Sequence, residues 1–210
     1  MLRINNISMP LNAGEQQLKQ KAAQKLEVKE SELQNFTISK KSVDARNKNN
    51  VHFVYSVDCS SDSLVRDKDI EQLPEIEKLT FKIKSDGVCP IVVGSGPAAM
   101  FAGLALAEAG LKPIILERGA PVEQRQKDVA AFWQGGELKA NSNVQFGEGG
   151  AGTFSDGKLM TGIKKVKFTA KVLQEFAAAG APKEILYLAK PHIGTDKLRL
   201  VVNNIRQKIL

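Results

Sequence analysis

Residues 91–117 constrain the fold of this chain more than any other stretch. Ile91-Val92-Val93 is a short β-branched run, Gly94-Ser95-Gly96 follows, Pro97 opens a run of small residues, and Ile114-Ile115-Leu116 closes on Glu117. Strand, glycine turn, helix and second strand, all within about 30 residues, make a βαβ unit. Gly94 permits the tight turn, and Gly96 lets the backbone approach a phosphate with no Cβ in the way. Pro97 suits the first helical position, where its missing N–H costs nothing. The unpaired N–H groups of that first turn, at Ala98 and Ala99, favour the pyrophosphate of a dinucleotide. Ala99 stands where a third glycine is usual, and Gly103 preserves close packing one turn later. Gly110 ends the helix, and Pro113 stops its continuation. Glu117 follows Gly94 by 23 positions, near the offset of about 20 expected for a ribose-binding acid. Its carboxylate accepts from two ribose hydroxyls and repels a 2′-phosphate, so NADP fits poorly.

From Ile91 to Leu111 the only charge is Glu108. Such a run raises the question of a membrane span, and the early Gly94, Gly96 and Pro97 with an immediate return to strand argue against one. The net charge of +7 is uneven: residues 1–86 carry 14 Lys/Arg against 13 Asp/Glu, and residues 87–210 carry 16 against 10. The excess lies in the half with the phosphate turn, where it attracts an anionic cofactor. No arginine–aromatic interleaving points to nucleic acid. The basic run Lys164, Lys165, Lys167 and Lys171 reads as solvated surface. Two cysteines, Cys59 and Cys89, imply no disulfide framework, and no secretory signal is visible, so a cytoplasmic setting is expected. Neither cysteine forms a Cys-x-x-Cys pair, and no metal-ligand spacing occurs.

Residues 1–86 read as a separate α+β module. Strands are expected over Leu2–Met9, Asn35–Lys41 and Val51–Cys59, a helix over Glu15–Leu26, and turn chemistry at Asn47–Asn50. A second helix is expected over Ser61–Leu73, stopped by Pro74, and a last strand through Leu79, Phe81 and Ile83. The order βαββαβ suggests a ferredoxin-like module. His52 falls on the face opposite the apolar stripe and reads as a solvated strand residue.

Residues 87–210 read as an α/β domain of Rossmann type. Glu123–Trp133 forms a helix ended by Gly135-Gly136, with Arg125 projecting from its first turn. Then comes Asn143-Val-Gln-Phe-Gly-Glu-Gly-Gly-Ala-Gly-Thr-Phe-Ser-Asp-Gly-Lys158, with five glycines between Gly147 and Gly157. Such a loop brings backbone close to a ligand. Its candidate contacts are Gly149, Gly150, Ala151, Gly152, Thr153, Ser155, Asp156 and Lys158. Arg125 and Lys158 are candidate cations for the pyrophosphate or for charge on a reduced cofactor. His192 reads as structural. A last helix is expected from Thr195, taken as its N-cap, and it runs to the end of the chain.

Ile91–Gly119, with Gly-Pro-Ala-Ala and Glu-Arg-Gly, resembles the FAD-binding half of the two-dinucleotide-binding-domain flavoproteins. The runs 143–159 (NVQFGEGGAGTFSDGKL) and 190–198 (KPHIGTDKL), with Ser42-Val-Asp-Ala-Arg46, resemble bacterial FAD-dependent or NAD(FAD)-utilising dehydrogenases. That resemblance implies FAD bound by Gly94, Ser95, Gly96, Pro97, Ala98, Ala99, Glu117 and Arg118, with NAD(H) as a candidate electron donor. It also implies that the glycine-rich loop passes near the ribityl chain or the flavin ring. Such flavoproteins are far longer, so the chain is expected to be an N-terminal fragment, inactive alone, with its catalytic residues and redox substrate unassigned. Two other classes stay open: an NAD-binding dehydrogenase on the same βαβ unit, and a non-catalytic nucleotide-binding interaction protein. Oligomeric state is not legible.

Overall fold

The computed structural model of the chain describes residues 1–63, 66–74, 81, 87, 89–155, 157–162 and 166–210. It divides into two units, Met1–Glu77 with Leu186–Ala189, and Lys78–Ile185 with Lys190–Leu210.

The first unit is a four-stranded antiparallel sheet. Strands β1 (Leu2–Met9), β2 (Gln34–Asp44), β3 (His52–Ser60) and β4 (Ile70–Gln72) stand in the order β2-β3-β1-β4. Helix α1 (Glu15–Lys25) buries Leu18, Ala22 and Ala23 against Ile4, Ile7 and Met9 of β1 and Tyr55, Val57 and Cys59 of β3. Ile4 and Ile7 have opposite parity along a regular strand, yet both are fully buried. A bulge between them reconciles this, with Asn6 at φ 53°, a conformation asparagine tolerates. The β2–β3 turn is held by the Asn47 carboxamide oxygen, which accepts the Asn49 N–H at 3.0 Å.

The helix expected over Ser61–Leu73 does not form among the described residues. Asp67 instead accepts the Asp69 N–H through its carboxylate (2.7 Å) and the Ile70 N–H through its carbonyl (3.0 Å). That turn reverses the chain, and Ile70–Gln72 pairs with the open edge of β1. An aspartate that bonds its own backbone competes with helix, and here it wins. Of the strand expected through Leu79, Phe81 and Ile83, only Phe81 lies among the described residues. Residues 186–189 join this unit from far along the sequence: Lys41 donates to the Tyr187 carbonyl at 2.7 Å, and Ala189 to the Lys41 carbonyl at 3.0 Å.

The second unit holds the βαβ pattern. β5 (Ile91–Val93) and β6 (Ile114–Leu116) pair in parallel, with Val92 opposite Ile115. Helix α2 (Pro97–Glu108) covers the face of Val92 and Ile115 so closely that a Cβ on Gly103 would sit 2.7 Å from Ile115 Cδ1. Helices α3 (Val122–Trp133), α4 (Val166–Ala178) and α5 (Thr195–Ile209) complete the unit. Met100, Val122, Ile185, Ile193, Val201, Val202 and Ile205 are buried together. Glu108 of α2 and Glu175 of α4 are bridged by Lys171 (2.7 and 2.8 Å) and by Lys208 of α5 (3.3 and 2.6 Å). Lys171, read from sequence as solvated surface, is therefore a tie between helices; Lys164 and Lys165 lie outside the described residues.

The last helix departs from expectation at its start. Gly194, at φ 86°, is the N-cap, and Thr195 is the first helical residue. The chain enters the helix from an extended segment in which Ile193 N–H donates to the Gly157 carbonyl at 3.0 Å, and only glycine turns from there at positive φ without strain. Among the described residues no helix is long and apolar enough to cross a membrane.

Candidate dinucleotide site

The turn between β5 and α2 is open where a ligand would need it open. Gly94 sits at φ 94°, and its N–H donates to the Leu116 carbonyl at 2.7 Å, carrying the pairing of the two strands one residue into the turn. A Cβ built on Gly94 or Gly96 would meet nothing within 4 Å. Gly96 is the N-cap of α2, Pro97 is at N1, and no side chain caps the helix. The first-turn amides at Ala98 and Ala99 therefore have no intrahelical acceptor.

Glu117, at the tip of β6, faces that turn. One carboxylate oxygen accepts the Ser95 N–H at 2.7 Å and the Ser95 hydroxyl at 3.0 Å, and the other accepts the Gly119 N–H at 2.8 Å. Burial pushes this carboxyl up, but the donors from Gly119 and Ser95 outweigh it, and the net shift is below the usual glutamate value. The group is ionised and fixed in direction, and these three donors leave about one of its four acceptor sites for a further donor. Arg118 beside it is exposed and lies over the Phe146 ring, 4.9 Å from its centroid.

The glycine-rich loop comes directly against this turn. Gly149 N–H donates to the Ser95 carbonyl at 2.9 Å, and a Cβ on Gly150 would lie 3.1 Å from Pro97 Cδ. Gly147, Gly149, Gly150 and Gly157 all adopt positive φ. Ala151–Phe154 makes one tight 3-10 turn. Within it Ala151 and Gly152 are exposed, whereas Thr153 is buried and its hydroxyl has no hydrogen-bond partner among the described residues. Ser155 is exposed; Lys158 is exposed and forms a backbone bridge with His192. Asp156 lies outside the described residues. A cavity of about 500 Å³ is lined by Pro97, Ala98, Gly149, Gly152, Thr153 and Lys158 together with apolar residues of α2, α4 and α5. A second, of about 1010 Å³, reaches Ser95, Glu117 and Gly119.

Arg125 does not project from α3 as expected. It is fully buried, and its guanidinium donates to backbone carbonyls of the glycine-rich loop, including Asn143 (2.8 Å), Glu148 (2.7 Å) and Gly150 (2.8 Å). The expectation of a cation free to meet pyrophosphate is corrected: the loop carbonyls consume its donors.

Three residues missed in the sequence also shape the site. The buried Glu148 carboxylate accepts from Val122 N–H at the start of α3 and from Arg206 of α5, both at 2.7 Å. Burial raises its pKa despite those donors. A carboxylate set between Gly147 and Gly149 was the available signal for Glu148; nothing in the sequence singled out Arg206. Asp128 of α3 holds the loop's leading edge through Lys139 (2.6 Å) and the Ser142 hydroxyl (2.5 Å).

Residues 90–189 match the family model described as an FAD binding domain. The match supports an FAD-binding flavoprotein. Residues 1–60 match a domain of unknown function, DUF8436. An uncharacterized protein of Clostridium beijerinckii (strain ATCC 51743 / NCIMB 8052) is 45% identical over 216 residues, covering 99% of this chain and 40% of the relative. The chain thus spans about two fifths of that relative's length. The residues present fit FAD on three counts: the vacant Cβ positions at Gly94 and Gly96, the uncapped start of α2, and the ionised Glu117 beside them. Among the described residues no cluster of His, Cys, Asp and Glu could hold a metal ion.

Proposed function

We propose that the chain is the FAD-binding part of a dehydrogenase-like flavoprotein oxidoreductase. The observation that carries this reading is the junction of Ser95 with Glu117 at an open glycine turn, inside the segment that matches the FAD binding domain. In this reading the amides of Gly96, Ala98 and Ala99 meet the pyrophosphate, where the helix dipole and free N–H groups favour negative charge. Glu117 accepts from the adenosine ribose. Gly149, Gly150, Ala151, Gly152, Thr153, Ser155 and Lys158 flank the other half of the dinucleotide, and Arg118 lies at the adenosine side. FAD when bound supplies the hydride acceptor; the protein supplies position and electrostatics. NAD(H) stands as the candidate donor. We read the N-terminal unit as ferredoxin-like in strand order, in agreement with an antiparallel sheet ordered β2-β3-β1-β4.

The test is direct. The chain purified under native conditions should carry the yellow absorbance of oxidised flavin, or take it up when FAD is added. The double variant Glu117→Ala with Gly96→Val should lose it. Colourless protein that binds NADH and not FAD would replace this reading with a nicotinamide-dependent one. Reduction of the bound flavin by NADH, against a panel of other donors, then tests the donor.

A further inference from the structure

Among the described residues Arg125 is the largest side chain wholly removed from solvent. A buried guanidinium ordinarily faces a carboxylate, and among the described residues none is bonded to it. Its partners are backbone carbonyls. Nε donates to Asn143 at 2.8 Å and Nη2 to Val144 at 2.9 Å, while Nη1 reaches Glu148 at 2.7 Å, Gly150 at 2.8 Å and, more distantly, Gly147 at 3.3 Å. The Phe154 ring closes the remaining side, 4.8 Å from the guanidinium carbon to its centroid.

The loop is wound around this cation. Gly147 takes φ 117°, and a Cβ there would lie 2.7 Å from Arg125 Cδ. With carbonyls from five residues turned inward, the loop leaves amides and Cα atoms for its other side. One of those amides, Gly149 N–H, is bonded to the Ser95 carbonyl next to the phosphate turn. A planar fork with donors on three nitrogens reaches carbonyls spread around its edge, whereas an ammonium offers three donors from a single nitrogen.

We infer that Arg125 is a positioning residue: its buried guanidinium sets the curvature of residues 143–150, and through them the fit of the glycine-rich loop to the half of the dinucleotide beyond the pyrophosphate. This rests on the FAD reading above. Arg125 itself touches no cofactor atom; it acts through the loop.

The experiment compares wild type with Arg125→Lys and Arg125→Ala, measuring affinity for FAD and for ADP and the visible circular dichroism of bound flavin. ADP carries the adenosine and pyrophosphate but no flavin half. Arg125→Lys should keep ADP affinity within about twofold, lose FAD affinity by about 30-fold, and alter the visible dichroism. In Arg125→Ala, FAD retention should return on adding millimolar guanidinium and not on adding equal sodium chloride. If Arg125→Ala is insoluble, Arg125→Lys alone decides. Equal losses of FAD and ADP, or FAD binding in Arg125→Lys with unchanged affinity and dichroism, would overturn the inference while leaving the dinucleotide site in place. Wild-type protein that binds neither nucleotide would sink the FAD reading, and this inference with it.

Discussion

Ser95 donates twice to one oxygen of Glu117, through its backbone N–H at 2.7 Å and its hydroxyl at 3.0 Å. The pair joins the glycine turn after β5 to the tip of β6, so the carboxylate is aimed before any ligand arrives. Ser95→Ala removes the hydroxyl donor and leaves the backbone N–H. It should weaken FAD binding by about three- to tenfold, less than the full worth of a hydrogen bond to a charged group, because the Ser95 N–H still holds the carboxylate. Glu117→Gln keeps the size of the side chain, but one of its two ends becomes a donor facing the Ser95 or the Gly119 N–H. It should weaken binding more than Ser95→Ala does. Titration of the colourless protein with FAD, read by flavin fluorescence, ranks the two; equal affinities would separate Glu117 from the cofactor.

Two glycines of the same loop should behave in opposite ways. Gly147 is at φ 117° with Arg125 Cδ where a Cβ would go, whereas Gly152 has ordinary φ and open space. Gly147→Ala should destabilise the unliganded protein by about 1–3 kcal/mol. Gly152→Ala should leave its melting temperature unchanged and weaken FAD binding instead, because the open space is where the ligand lies in the proposed reading. Thermal melts with and without FAD distinguish them.

Acid should loosen the leading edge of the loop in a definite window. Lys139 and the Ser142 hydroxyl, with Gln124 of α3, hold the Asp128 carboxyl down at about 2. A carboxylate with a depressed pKa in the folded state stabilises it fully above the unfolded value of about 4 and loses that contribution as pH falls toward the folded value. Asp128→Asn should therefore lower the melting temperature at neutral pH, and the gap from wild type should close between about pH 4 and about pH 2. A gap that stays constant through that window would mean that Asp128 contributes by shape and not by charge.

Several parts of this protein are legible in its sequence, each for a local reason. The glycine turn between β5 and α2 was legible because glycine, proline and strand patterning act on their immediate neighbours. Phase along a strand also survives in sequence: in β3 the alternate residues Tyr55, Val57 and Cys59 are buried, with Phe53 packed against them. The helix expected over 61–73 failed because an Asp67 turn and a free edge on β1 outweighed weak propensity. The pairing of residues 186–189 with Lys41 links positions more than 140 apart, and no local signal records such a partner.

Sequence alone therefore determined that a strand, a turn at positive φ and a helix start would follow one another at residues 91–99, because those preferences belong to single residues and their neighbours. Only the tertiary structure decided what the charged groups do. Arg125 looked like a cation for a ligand and is instead enclosed by loop carbonyls, and Glu148 joins α3 to α5. A charge is spent on whichever partner folding brings within about 3 Å, and that choice depends on segments distant in the chain.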